Sequence, residues 1–465
     1  MSIWKRIKKA RYRGTFYNMA DWNPPPPERD EGSASNVVPD KDRIGDTVFS
    51  KAWVLSLLVK AVKAVDSSTS EPERESAYGS SGEGGKPGGK EEVVKGEETG
   101  VRGEAGSAAG RKEGEEREGH CTLATEVKEL SEDIENDLCQ LWDVSMNEDV
   151  TKYLMDHHAV DLLLEVASRS DAPRLIEICV GILGNLACQE EVCENNFANT
   201  ETMYGYFCEL QPCPQHRASI LLLLKNTDPL VLLETTRLIY TCVCHKSVFA
   251  EWINMIKVTT SVQDDLIFVL KSSTNEDLLK NVAVLLDKLL DCSDELLNDW
   301  ATKDLLLAIC EACEQTKLSS FDATCTFVLT MQLFATTASG TAVIVDCKEE
   351  LCVVLAEYLC SVEVVDHGAA TMAALSLLIT LLDNLQMGLP VDILPTLRTL
   401  KTRLESSVSK DQRTISRSHD EHDGLCQQNR VAECATSTGM ESPDFDPLAE
   451  KMLKMVGELV QRLDR

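Results

Sequence analysis

Aromatic side chains are scarce in this sequence. Phe, Trp and Tyr make up 5% of the 465 residues, although 43% are hydrophobic. Leu, Val, Ile and Ala must therefore fill the core, which favours packed helices, because long strands usually use more aromatic residues. Long hydrophobic runs are missing too. Residues 221–224 are all leucine, but Lys225 and Asn226 end the run far short of the ~18–20 residues of a membrane span.

Basic charge is also in deficit. The chain has 46 Lys and Arg against 76 Asp and Glu, a formal net charge of −30. Such a surface repels nucleic acid and anionic lipid, so we expect neither to bind directly. Basic peptides or basic faces of other proteins would complement it, unless the acidic residues serve solubility alone. The partners we expect are other proteins, and the chain is expected to be a monomer.

Catalytic motifs are absent as well. There is no Walker loop, no Gly-rich dinucleotide loop after a strand, no GxSxG elbow, and no nucleophile paired with a base. Cys310 and Cys313 have the spacing of a zinc or redox pair but lie in an apolar helical pattern. Cys242, Cys244 and His245 could offer soft metal ligands, yet Cys242 falls on a core position. No signal peptide is visible, so we expect the thiols to stay reduced. Because the motifs above are missing, we expect no enzyme activity, no cofactor and no metal.

Composition divides the chain into stretches of different character. The basic residues 1–18 are either a nuclear-import signal or an upstream extension before a start at Met19. The apolar stripe near the C-terminus predicts a helix that caps the helical body, with binding of a foreign partner as the alternative. The stretches are a disordered segment at 1–43, an isolated amphipathic helix at 44–65, a disordered Gly/Glu-rich linker at 66–122, a helical body at 123–405, a disordered stretch at 406–445 and a C-terminal amphipathic helix at 446–465.

The helical body contains an internal repeat. Ala172–Gln189 is apolar at helical spacing, and weaker copies of it follow along the chain. Leu175 and the corresponding Val231 are 56 residues apart, whereas Val231 and Leu278 are 47 apart. Looser copies begin near Phe321 and Gly368, and the excess in the first step is assigned to a surface insertion at about 195–217. Periods of about 40–47 residues are typical of armadillo and HEAT repeats, so we predict an all-α, armadillo/HEAT-like α-solenoid with a disordered linker and tails.

The third helices of armadillo repeats line a concave groove. There, a Trp and an Asn one helical turn apart commonly hold the backbone of an extended peptide. Only one Asn and no Trp occupy these positions in this chain. The matching pairs are Gly181 with Asn185, Arg237 with Thr241, and Val284 with Lys288.

These positions, with one neighbour, are the candidate partner-binding residues. Asn185 could contact a peptide, or it could satisfy local backbone groups. Arg237 and Lys288 would make the centre of the groove locally basic and suited to an acidic segment, with Thr241 beside them. Trp142 is either part of a partner site or a plug at the N-terminal end of the stack.

Four segments resemble the serum amyloid A-like family, also called synoviocyte-proliferation-associated. They are Ile44–Trp53, Glu135–Val150, Pro173–Cys188 and Leu232–Leu238. The resemblance implies an armadillo-like, non-enzymatic and mainly nuclear protein linked to cell proliferation, notably of synovial fibroblasts responding to inflammatory stimuli. It supplies no catalytic or ligand-binding residue.

Two functions remain open from the sequence. The first is a protein-interaction scaffold that promotes cell proliferation. The alternative is a transport or chaperone-type adaptor that binds extended peptides in the groove. By the resemblance we expect the nucleus as its location, with the cytoplasm as a further one.

Overall fold

A computed structural model describes residues 40–69, 129–197, 216–363, 367–385, 388–406 and 447–464. Most of the predicted disordered stretches (1–43, 66–122 and 406–445) and most of the predicted insertion at 195–217 lie outside these residues. Within them the secondary structure is helical, and the only strand-like pairing is an isolated bridge between Arg43 and Ser50.

The helices follow one another closely, usually joined by loops of a few residues. They are α1 Lys51–Thr69, α2 Glu132–Val144, α3 Glu148–Asp156, α4 Ala159–Arg169, α5 Pro173–Leu186, α6 Glu190–Val192 with a π-helical turn Cys193–Phe197, α7 His216–Leu222, α8 Pro229–Cys244, α9 Phe249–Val258, α10 Val262–Ser272, α11 Glu276–Cys292, α12 Asp294–Trp300, α13 Lys303–Thr316, α14 Phe321–Phe334, α15 Ala338–Asp346, α16 Lys348–Ser361, α17 Gly368–Asn384, α18 at 394–406 and α19 Pro447–Leu463.

Two rows of helices make up the stack. In the first row α2, α5, α8, α11, α14 and α17 each pack on the next, and α19 packs on α17. The second row runs α1, α4, α7 and then, through a 3₁₀ turn at Leu223–Lys225, α10, α13 and α16. Each helix buries its apolar face against neighbours in both rows, which is the construction of an α-solenoid. The predicted fold class is confirmed.

The repeat spacing is visible in the first row. α8, α11, α14 and α17 begin at Pro229, Glu276, Phe321 and Gly368, as the aligned sequence copies predict. Local signals set some of these starts. The Asp228 side chain accepts hydrogen bonds from Leu230 N and Val231 N at 2.9 and 3.1 Å, which caps α8.

α1 occupies the first position of the second row. Its buried residues, among them Val54, Leu57 and Ala61, pack against α2 and α4. Lys60 forms an ion pair with Asp137 of α2. The helix is therefore not isolated, and it continues to Thr69, beyond its predicted end. An amphipathic helix of this length needs such a partner, because it is marginal alone in water.

α19 covers the opposite end of the first row. Met452, Val456 and Leu459 are buried on the side that meets α17. Arg462 pairs with Asp383 of α17 at 2.7 Å. The apolar stripe seen in the sequence thus faces the stack.

The most apolar helices lie inside the fold. Among the described residues no single helix has both the length and the apolar character to cross a membrane. α14 and α15 meet that test only as a pair, which is bent by 118°.

Candidate functional site

The predicted groove residues lie on four consecutive helices of the first row, α2, α5, α8 and α11. The central helix, α5, is buried along nearly its whole length, and only Pro173 and Arg174 at its start reach the surface. A helix that is apolar almost all round must be enclosed, which leaves little of α5 for a partner to touch.

Gly181 on α5 makes room for Trp142 on α2. The Trp142 ring lies over this glycine so closely that a methyl group at position 181 would overlap it. The tryptophan that an armadillo groove would carry at 181 cannot fit here, because the preceding helix already fills the space. Trp142 is half-buried, and this packing favours its interpretation as a plug.

Asn185 is bonded within the protein. Its Nδ2 donates to Trp142 O and to Ser145 Oγ, both at 3.0 Å, and its Oδ1 accepts from Arg237 Nη1 at 3.3 Å. The residue is 1% exposed. Each polar atom of the amide already has an internal partner, so the peptide-contact interpretation of Asn185 gives way to the structural one.

Arg237 bridges α8 to α5. Its Nη2 donates to Gly181 O at 3.1 Å and pairs with Glu234 at 2.6 Å. The guanidinium fits because Gly184 leaves space for it. The predicted basic character of the groove is corrected at this position, since the adjacent carboxylate balances the Arg237 charge.

The other two candidates differ in exposure. The Thr241 hydroxyl is buried and donates to Arg237 O at 2.9 Å, within its own helix. Lys288 on α11 is half-buried. Burial raises the pKa of the nearby Cys244 thiol, and the positive charge of Lys288 opposes that shift. Of the five predicted residues, Trp142, Arg237 and Lys288 are half-buried, whereas Asn185 and Thr241 are buried.

A ladder of charges connects α2, α5 and α8. Arg174 bonds Glu135 of α2 at 2.8 Å and Glu177 of its own helix at 2.7 Å, and the Glu234–Arg237 pair continues the ladder on α8. Glu177 and Glu234 are each 7% exposed. Burial raises the pKa of Glu234, and the Arg237 charge and hydrogen bond oppose the rise. Each carboxylate of the ladder is therefore paired with an arginine, while repulsion from Glu177 adds to the rise in the pKa of Glu234.

Sequence reasoning missed this ladder. Its local signal was present as opposite charges three residues apart inside apolar runs, at Arg174 with Glu177 and at Glu234 with Arg237. The cross-helix contact of Arg174 with Glu135 spans 39 residues, and no pattern in the sequence marks it.

The cysteines that suggested chemistry are free thiols in the described part of the chain. Burial raises the pKa of Cys310 and of Cys313, as expected for core thiols on α13. The residues that the structure describes contain no group of three or more His, Cys, Asp or Glu arranged to hold a metal ion.

Known proteins resemble this chain over most of its length. A family model described as the SAAL1 C-terminal domain matches residues 262–463. Protein saal1 of Danio rerio is 30% identical over 430 residues, which is 87% of this chain and 77% of that protein. Protein SAAL1 of Homo sapiens is 32% identical over 243 residues, 48% of each chain. The crystal structure of an engineered protein is also similar, with 17% identity and a TM-score of 0.40 over 53% of this chain and 90% of that one.

Proposed function

We propose that this chain, which belongs to the SAAL1 family, is a helical-repeat scaffold that binds other proteins and promotes cell proliferation. The family resemblance noted in the sequence is confirmed by these relatives. No catalytic domain is identified in the chain. The proliferative role is the finer part of the proposal, and it rests on the resemblance.

The observation that carries the proposal is the continuous first row from α2 to α19. Stacked helical repeats form the extended surfaces that such proteins use for binding. Such surfaces serve well as platforms for other proteins. Family membership alone would leave open how the chain acts, and the row supports action by binding.

The electrostatics favour particular partners. Asp and Glu exceed Lys and Arg by a wide margin, so basic faces of other proteins complement the chain, and neither nucleic acid nor membrane is proposed as a direct ligand. We further propose that the chain acts as a monomer in the nucleus, and also in the cytoplasm. The alternative of an adaptor that grips extended peptides is weakened by the internal bonding of Asn185.

Proximity labelling in proliferating cells tests the proposal, with Lys288→Glu compared to the unchanged chain. The matched control is Lys246→Glu, the same charge reversal at an exposed residue after α8. Arg237 is unsuitable for this purpose, because its loss would disturb the buried ladder.

We expect Lys288→Glu to lose those nuclear partners whose acidic segments contact the basic Lys288, and to restore proliferation of depleted cells less well than the control does. Two results together would refute the proposal: the same labelled partners for Lys288→Glu as for the unchanged chain, and normal proliferation of cells depleted of the protein. Enrichment of transport factors among the labelled proteins would support the adaptor instead.

A further inference from the structure

Four ring side chains lie together where α1 begins beside α3. The rings of Phe49 and Trp53 are stacked, with centroids 5.8 Å apart and planes 20° from parallel. The rings of Tyr153 and His157 are also in contact, with centroids 4.3 Å apart. Tyr153 Oη lies 3.5 Å from Lys51 O, which brings the second pair to the turn of α1 that carries Trp53. We call these four side chains the aromatic surface.

The aromatic surface is accessible. Each of its four residues is half-buried, and Val48, the neighbour of Phe49, is 52% exposed. Only 5% of the chain is aromatic, so three such residues and a histidine at one accessible place are a concentration. The large aromatic side chains inside the stack, by contrast, are fully buried: Trp252, Phe327 and Phe334. Clustered aromatic side chains with accessible area are characteristic of binding surfaces.

The surface also has a hydrogen-bond donor that the fold does not use. The indole N–H of Trp53 has no partner among the residues that the structure describes, although the backbone of Trp53 is bonded to Ser50 and Ser56. Burial, and then the nearby carboxylate of Asp42, raise the pKa of Tyr153, so its hydroxyl stays protonated near neutral pH. A ligand that suits this surface therefore offers apolar groups to the rings and a free carbonyl oxygen to the indole.

A polyproline helix offers both groups. It rises about 3.1 Å per residue, and because it makes no internal hydrogen bonds its carbonyl oxygens stay available. Aromatic-lined grooves bind proline-rich segments in this preformed conformation, which costs little entropy. Four consecutive prolines extend over about 12 Å, enough to cross a pair of rings whose centroids are 5.8 Å apart.

The chain carries such a segment close to the aromatic surface. Residues 24–27 are all proline, and residues 28–39 separate them from Asp40, where the described chain begins. This connection of twelve residues reaches at most roughly 40 Å when fully extended. Its end is fixed beside the surface, because Asp42 Oδ1 accepts a hydrogen bond from Ala52 N in the first turn of α1 at 3.2 Å. The prolines are therefore tethered within reach of the rings.

We propose that residues 24–27 dock as a polyproline helix on the aromatic surface of the same chain. The proline rings pack against Phe49 and Trp53, and a backbone carbonyl of the segment accepts a hydrogen bond from the Trp53 indole. While the segment is docked, the surface is closed to proline-rich segments of other proteins. This contact lies within one chain and does not depend on the scaffold function proposed above.

A nuclear magnetic resonance measurement tests the contact without altering the helical stack. The full-length chain is labelled with ¹⁵N-tryptophan, and all four prolines at 24–27 are replaced by alanine. We expect the indole N–H resonance of Trp53 to move upfield on this replacement, because the indole loses its acceptor. The buried Trp252 and Trp300 are the internal controls and should not move, and Trp53→Phe identifies the resonance. A Trp53 resonance that stays in place would overturn the proposal.

Photo-crosslinking identifies the occupant of the surface. The full-length chain with Val48→p-benzoylphenylalanine is irradiated and digested with trypsin, which places position 48 in the peptide 44–51 and the prolines in the peptide 14–29. We expect these two peptides to be linked, and the link to be lost when the four prolines are replaced by alanine. The matched control is Val59→p-benzoylphenylalanine, at a residue of similar exposure (48%) on another side of α1, which should not give the link.

Isotope labelling separates the possible occupants. The photoreactive chain is mixed with an equal amount of ¹⁵N-labelled chain that lacks the photoreactive group. A link to the unlabelled peptide 14–29 supports docking within the chain. A link to the labelled peptide would assign the surface to a second copy, and a link in irradiated cells to a proline-rich segment of another protein, with none to 14–29, would assign it to a partner. Either of these two results would overturn the proposal.

Discussion

The two ends of the helical row are held together by different forces. Between α2, α5 and α8 the contacts are directional, with the Asn185 amide and the Arg174 and Arg237 guanidinium groups joining neighbouring helices. Between α14 and α17 the contacts are apolar, with Phe327 and Met331 fully buried.

Polar groups are present in the apolar half, and two of its buried threonine hydroxyls bond mainly within their own helices. Thr330 Oγ1 donates to Thr326 O at 2.9 Å, and Thr371 Oγ1 donates to His367 O at 3.0 Å. Both hydroxyls are satisfied within their own helix, and Thr330 Oγ1 makes a further, longer contact of 3.5 Å with Asp287 Oδ1 of α11. Neighbouring repeats can thus be joined by hydrogen bonds that fix how two helices align, or by apolar packing that depends mainly on side-chain volume.

The largest expected effect follows from breaking the charge ladder. Arg237→Met leaves the Glu234 carboxylate buried without its partner, which should cost about 3–5 kcal/mol of unfolding free energy. Urea unfolding followed by circular dichroism measures it. The double variant Arg237→Met with Glu234→Gln should recover part of the loss, and a single variant as stable as the original protein would show that the ladder does not hold the junction.

The apolar half should respond to volume. Met331→Ala on α14 removes a fully buried side chain and should cost about 2–5 kcal/mol, whereas Met331→Leu should cost less than about 1.5 kcal/mol. The same unfolding measurement compares them. If the two substitutions were equally damaging, packing volume would not be the controlling quantity there.

A smaller effect is expected at the close approach of α5 and α2. Gly181→Ala places a methyl group against the Trp142 ring and should destabilise the junction by about 1–3 kcal/mol. The shift in Trp fluorescence on this substitution reports the displaced ring. Gly457→Ala on α19 is the control, because nothing lies within 4 Å of the added group.

The smallest expected effect concerns pH. His216 of α7 contacts Asp161 of α4 at 2.8 Å, and its other nitrogen faces Asn196 O at 3.0 Å. Burial alone would lower the pKa of His216, but the bonds to Asp161 and Asn196 outweigh it and the pKa is raised. His158, the residue before α4, also lies near Asp161, with its Nδ1 at 3.6 Å from Asp161 Oδ2.

A raised pKa fixes the sign of this pH dependence. The contribution of His216 is complete below the unfolded pKa of about 6.5 and disappears as pH rises through the higher folded value. It should amount to about 1 kcal/mol or less, because Asp161 is partly exposed. Unfolding free energies measured from pH 5.5 to 8.5 should fall more for the original protein than for His216→Gln, and parallel curves would contradict the assignment.

Much of the architecture could be predicted because the signals for helices and repeats lie within single segments of the sequence. The apolar spacing and the Asp228–Pro229 start of α8 are contained in single segments. The capping residue of a helix is harder to choose from the sequence. Thr274 with Asp277 fits a capping pattern, but α11 is capped by Asn275, whose side chain accepts a hydrogen bond from Leu278 N at 2.9 Å. α5 begins after Ala172 without a side-chain cap, although Asp171 is the better capping residue.

The candidate site was harder to predict because its contacts are not local. Asn185 sits at the position of a peptide-binding asparagine, but its partners Trp142 and Arg237 come from the helices before and after it. Whether a polar side chain faces a groove or a neighbouring helix depends on how closely those helices approach. That distance is set here by Gly181 and Gly184, whose role appears only in three dimensions.

α1 has a consequence for how the chain behaves when it is cut. It occupies the first position of the second row, yet residues 70–131 separate it in sequence from α2, on which it packs. A protease that cleaves between them would turn an intramolecular contact into a bimolecular one, and the covalent link that keeps α1 beside α2 would be lost. Dilution would then release a peptide that the intact chain always retains, and would uncover the apolar surface beneath it.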